Sequence, residues 1–181
     1  EPMERKKSGS ALMEQPSSEQ KRAAEVLPGK SGYADRIRHG LKHDAEKVFG
    51  LQGLKRTSGG ILACAKGGGE PVSLEEEWVF PYVKPRHIRR WRITGWQHVL
   101  VPQRKAGQQN GAQLAERFPA TWAYLEAHRE RLQQRKSSVF EKGPFYGVFG
   151  LGRYTFAPFR VIWCGLGLRP YFAVVTPVHD P

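Results

Sequence analysis

The densest chemistry in the chain lies in VKPRHIRRWR, Val83 to Arg92, which packs four arginines, a lysine, a histidine and a tryptophan into ten residues. From Val79 to Ala115 the basic residues are Lys84, Arg86, Arg89, Arg90, Arg92, Arg104 and Lys105, and no acidic residue interrupts them. A second acid-free run, Lys142 to His179, carries Lys142, Arg153, Arg160 and Arg169 among aromatic residues. Arginine can fork onto guanine edges or phosphates, and planar rings can stack on bases or wedge into a groove. The candidate nucleic-acid-binding residues are therefore Lys84, Arg86, His87, Arg89, Arg90, Arg92, Arg104, Lys105, Arg153, Tyr154 and Arg160. A solvated charged face with Ile88 and Trp91 in the core accounts for the same pattern. Both hold together if Ile88 and Trp91, three apart, anchor the arginines.

Several catalytic patterns come close and fail. Gly60–Gly67 approximates a phosphate loop, but Ala65 stands where the second glycine belongs and Gly67 where a hydroxyl would hold magnesium. A strand and a glycine turn explain it better. His39 and His43, four apart, have no acidic base between them and no Cys-x-x-Cys partner, so a solvated basic helix is expected. Cys64 and Cys164 sit in apolar runs where a buried thiol is the default. Glu75-Glu76-Glu77 alternates faces on an extended run and reads as a solvated turn or edge. Gly143-Pro144-Phe145-Tyr146 has the outline of an adenine methyl-transfer motif without its Asn/Asp acceptor, and Phe149-Gly-Leu-Gly152 is too short for a cofactor loop. No complete active site and no metal site are expected.

Charge supports a polyanionic partner. Twenty-nine Lys and Arg against 17 Asp and Glu give +12 over 181 residues, and the pI is near 10.0. Aromatic residues make up 11%, enough for a core in part of the chain and too many for wholesale disorder. No run nears the roughly 20 apolar residues of a membrane span, and no secretory signal is recognisable at the start. Two cysteines fit a reducing, cytoplasmic setting.

The elements that would position these residues fall after residue 45. Residues 1–45 read as a polar, basic, flexible tail or the remnant of a neighbouring unit, with a short helix over Ala34–Val48; residues 46–181 read as one folded domain. Strands are expected at Gly60–Lys66, Trp78–Val83, His98–Val101, Phe145–Phe149, Tyr154–Phe156, Arg160–Cys164 and Tyr171–Val175, with Pro81 and Pro102 marking edges or ends. One long helix is expected over Pro119–Lys136, burying Trp122, Leu125 and Leu132 and leaving Arg129 and Arg131 nearer the surface. The fold class is α+β, short mixed strands packed around that helix.

Four blocks, in order, resemble a known family. LEEEWVFPYVKPRHIRRW (Leu74–Trp91), HVLVP (His98–Pro102), FPATWAYLEAHRERLQQRK (Phe118–Lys136) and FYGVFGLGRYTFAPFRVIW (Phe145–Trp163) are similar to the TaqI-like C-terminal specificity domain of bacterial N6-adenine DNA methyltransferases and fused restriction-modification enzymes. The resemblance covers roughly residues 46–178. It implies a module that grips double-stranded DNA and sets which sequence is modified. S-adenosylmethionine and the flipped adenine would belong to a catalytic domain or subunit that this sequence lacks. A general RNA- or single-strand-binding protein is the competing class.

Overall fold

The computed structural model describes residues 18, 19, 22, 32–165 and 171–177. Most of residues 1–31, Arg169 and the end of the second acid-free run lie outside them. The chain divides into two compact units, Glu1–Arg38 and His39–Pro181. In the first, Ala34–Arg36 forms one 3-10 turn, after which Ile37 is extended (φ −72°, ψ 128°).

The helix expected over Ala34–Val48 does not form. Asp44 adopts a left-handed φ of 50°, and the only α-helical part of that stretch is α1, Glu46–Phe49, in the second unit. From α1 the chain runs into β1 (Gly50–Thr57), β2 (Gly60–Ala65) and β3 (Val72–Leu74), followed by β4 (Val79–Tyr82). Next come the two-residue strands β5 (Ile88–Arg89) and β6 (Arg92–Ile93), and then β7 (Gln97–Leu100). Strands β3-β2-β1-β7-β4 form one antiparallel sheet in that order. Burial alternates along β2, with Ile61, Ala63 and Ala65 turned inward, as a half-buried strand requires. Pro81 lies on β4, an edge strand, where a missing N–H need not break a central ladder. Strands β1 and β3 carry no clear alternation and escape a sequence reading. In β1 the register slips between Gln52 and Lys55 at Gly53, whose φ is 62°, a glycine bulge.

Three short helices follow: α2 (Gly111–Arg117), α3 (Pro119–Ala127) and α4 (Arg129–Gln133). The single helix expected over Pro119–Lys136 is therefore two, broken at His128 (φ −110°, ψ 11°). The His128 Nδ1 lies 2.9 Å from the Tyr124 carbonyl, the acceptor that a continuous helix would give to the main-chain N–H. That N–H turns to Leu125 O instead. Leu125 and Leu132 are fully buried, with Phe49, Leu51, Leu74, Leu100 and Leu114. Trp122 is only half-buried, set edge-on against Phe145 and Tyr146.

Two further strand expectations fail. Phe145–Phe149 is a loop with one bridge, in which Phe149 exchanges both main-chain hydrogen bonds with Lys42 (2.8 and 2.9 Å). Arg135 donates to Phe145 O (2.6 Å) and Gly147 O (2.6 Å), and also to Leu132 O (2.8 Å) and His43 O (3.1 Å). Burial holds this guanidinium down at about 10. Residues Arg153–Phe156 form a 3-10 turn. Strands β8 (Arg160–Trp163) and β9 (Phe172–Val175) then pair antiparallel, close to where the sequence places them.

Candidate nucleic-acid interface

The basic block is a hairpin. IRRWRI nearly mirrors itself about Arg90-Trp91, and the backbone folds on that axis: Ile88 pairs with Ile93 and Arg89 with Arg92, leaving a two-residue turn. Ile88 is buried, while Arg89, Arg90, Trp91 and Arg92 are exposed. Trp91 is not a core anchor. It is 70% exposed and has a φ of 65°. Its N–H donates to Phe172 O at 2.8 Å, tying the turn to β9, and both hairpin strands pack on β9. Arg89 and Arg92 are directly opposed cross-strand neighbours of like charge, a pairing that is unfavourable without an anion.

The base of the hairpin is fixed by charge. Glu46 Oε1 meets Lys84 Nζ at 2.7 Å, Lys66 Nζ at 2.9 Å and Gln97 Nε2 at 3.1 Å. Burial pushes the Glu46 carboxyl up, but the hydrogen bonds from Lys84, Lys66 and Gln97 outweigh it and hold the group at about 2. Lys84 is thus engaged inside the fold. Arg86 donates to Gln97 Oε1 at 3.3 Å. His87 Nδ1 accepts from Lys84 N–H at 3.3 Å; burial first, then the charges of Arg86, Lys66 and Lys84, push its pKa down, so it stays neutral more readily than an ordinary histidine. Arg89 folds back onto Arg86 O (2.8 Å) and Ile88 O (3.0 Å). Among the described residues Arg90 and Arg92 engage no carboxylate.

The remaining candidates divide the same way. Arg104 stacks over Trp78, Phe80 and Phe156, with its guanidinium 5.0–5.2 Å from each ring, and pairs with Glu77 at 3.6 Å. Arg160 is half-buried, its pKa lowered by burial, and donates to Thr155 O. Lys105 and Arg153 are exposed and line an open groove of about 630 Å³ with Arg104, Gln108 and Phe156. Tyr154 is 36% exposed beside it in sequence. Of the cationic candidates, Arg90, Arg92, Lys105 and Arg153 are those left both exposed and uncommitted among the described residues, and the Tyr154 side chain is exposed as well. Trp91 and Trp96, 70% and 61% exposed, lie outside the candidate list. The mirrored IRRWRI pattern was the available signal, since only a hairpin turns both isoleucines to one face and its turn outward.

The discarded motifs have structural uses. His43 is buried, not on a solvated helix; burial lowers its pKa against the pull of Glu46, whose Oε2 lies 3.4 Å from Nε2. Glu75 is not a solvated edge: its carboxylate accepts from Ala120 N–H (3.0 Å) and Thr121 N–H (2.7 Å), capping α3. Burial raises that carboxyl and the hydrogen bonds from Thr121 and Ala120 more than offset it. No helix follows the Gly60–Gly67 segment. In Phe149-Gly-Leu-Gly152, Gly150 has a φ of 74°, and a Cβ there would meet Gly40 O at 2.2 Å. That glycine lets the chain pack against Gly40. Cys64 and Cys164 are half-buried. Among the described residues no group of three His, Cys, Asp or Glu could hold a metal, and no helix is long and apolar enough to cross a membrane.

No family model matches the chain, and no solved structure matches it. A curated relative does: the Type II methyltransferase M.NspV of Nostoc sp. (strain ATCC 29411 / PCC 7524) is 31% identical over 144 residues. The match takes in 79% of this chain and 28% of the relative. The protein is thus distantly homologous to part of a type II methyltransferase, spanning little more than a quarter of that relative's length.

Proposed function

We propose that the chain is the DNA target-recognition part of an N6-adenine methyltransferase of a bacterial restriction-modification system. It would act in the cytoplasm on double-stranded DNA beside a methyltransferase catalytic domain or subunit. The observation that carries this is the β5–β6 hairpin: like-charged Arg89 and Arg92 face each other beside Arg90 with no carboxylate from the described residues to neutralise them. A polyanion removes that repulsion. The partial likeness to a type II methyltransferase supports the same assignment.

Arg90, Arg92, Lys105 and Arg153 supply phosphate and base contacts, while Lys84, Arg86, Arg104 and Arg160 hold the scaffold. The tail or neighbouring-unit remnant expected over residues 1–45 would end before His39, where the second compact unit begins. S-adenosylmethionine would belong to the catalytic domain, and calorimetric titration of this chain with it is expected to give no micromolar binding. The direct test is selection from a random duplex library, with the selected sequence then offered as duplex DNA, single strand and RNA at equal salt. Duplex DNA is expected to bind more tightly than the others by about a hundredfold. Equal or tighter binding of RNA or single strand would make the chain a general nucleic-acid binder.

A further inference from the structure

We infer that Trp91 is a wedge that enters the base stack at one step of the bound duplex. The inference rests on the DNA-binding assignment and deepens it. A tryptophan at the tip of a two-residue turn, 70% exposed and at a φ of 65°, contradicts every local preference. Glycine or asparagine is the normal occupant of such a backbone, and a large ring gains nothing from water. Strain of this kind persists where the surroundings enforce it and tends to mark functional sites. Here the turn is held at both ends, by the Trp91 N–H bond to Phe172 O and by buried Ile88 beneath the hairpin.

The neighbours suit a wedge. Arg90 and Arg92 flank the ring in sequence and Arg89 lies opposite Arg92, so cations surround the point where a ring would enter. Arginines on the adjoining phosphates would hold the hairpin against the duplex while the indole separates two base pairs. A base-edge reader needs hydrogen bonds that an indole lacks beyond its one N–H. Its flat face suits stacking, which every base offers. The candidate is therefore a contact to a base step that is easily unstacked, not to one base edge.

The test uses the full 181-residue chain and the duplex it selects from a random library, with a single nick moved along each strand. A nick keeps every base pair and lowers the cost of opening one step. The parent protein and Trp91→Phe are expected to bind about fivefold or more tightly when the nick falls at one particular step. Trp91→Gly, which suits the positive φ, is expected to melt no lower than the parent. It should bind the intact duplex about tenfold more weakly, keep the parent's salt dependence and show no gain at any nick. Trp91→Gly binding intact DNA as the parent does, or a nick profile shared by the parent and Trp91→Gly, overturns the wedge while leaving DNA binding standing. Failure of the parent to bind any duplex overturns the DNA-binding assignment itself, and the wedge with it.

Discussion

The Lys84 ammonium sits 2.7 Å from Glu46 Oε1, so the residue that opens the basic segment is clamped to the helix that opens β1. Gln97, on β7, and Lys66, just after β2, complete the clamp. Acid should release it. The Glu46 carboxyl stands at about 2 in the fold against an ordinary 4.5, so its stabilisation is complete above pH 4.5 and is lost as pH falls towards 2. His43 adds an earlier loss: its pKa is below the ordinary 6.5, so the unfolded chain takes up the proton first once pH drops under that value. Melting temperature is expected to fall in two stages on acidification. Glu46→Gln should flatten the lower stage and deepen the upper one, since the Glu46 charge that raises the His43 pKa is gone, as thermal denaturation from pH 8 to pH 3 would show. A parent melting temperature constant over that range contradicts the clamp.

Arg135 joins α4 to two loops through four backbone carbonyls. Arg135→Ala strands those acceptors and should cost about 3 kcal/mol or more. Arg135→Lys keeps the charge but loses the planar fork, and should fall between the two. Urea denaturation of the three proteins gives the order. Equal midpoints for Arg135→Ala and the parent contradict it.

Burial ranks the helix substitutions. Leu125 is 0% exposed, so Leu125→Ala should cost about 2–5 kcal/mol. Half-buried Trp122 loses less than a fully packed tryptophan, and Trp122→Ala should fall near 2 kcal/mol. Denaturant titration of both variants would show a Leu125→Ala loss at least as large as that of Trp122→Ala. A clearly larger Trp122→Ala loss would mean that the edge contacts with Phe145 and Tyr146 matter more than exposure.

How far the sequence carried depended on whether a pattern had one solution. Strands β2, β4, β7, β8 and β9 were legible because apolar and β-branched residues cluster there between glycines and prolines. Leu51–Thr57 was not, since it bulges at Gly53 and most of it faces solvent. The break at His128 turns on one side chain capturing the Tyr124 carbonyl, which propensity does not record. Ile88 and Trp91, three apart, suit a helix face, and that spacing hid the hairpin in which Ile88 instead opposes Ile93. Charge located the basic surface, but not which cations the fold had already used. Lys84, Arg89 and Arg104 are engaged by Glu46, by local carbonyls and by an aromatic cluster. Those partners come from distant or locally folded backbone.

The salt dependence of Arg90→Ala plus Arg92→Ala tests DNA binding by the hairpin most directly. Both side chains are exposed, and the substitutions leave Ile88 and Ile93 in place. If each arginine neutralises one phosphate, the slope of log K against log salt for the selected duplex should flatten by about 1.8, or about 0.9 per contact. Affinity should fall and the melting temperature should hold. A folded double variant with the parent's affinity and the parent's slope would show that the hairpin is only a solvated face and contradict its role in binding DNA.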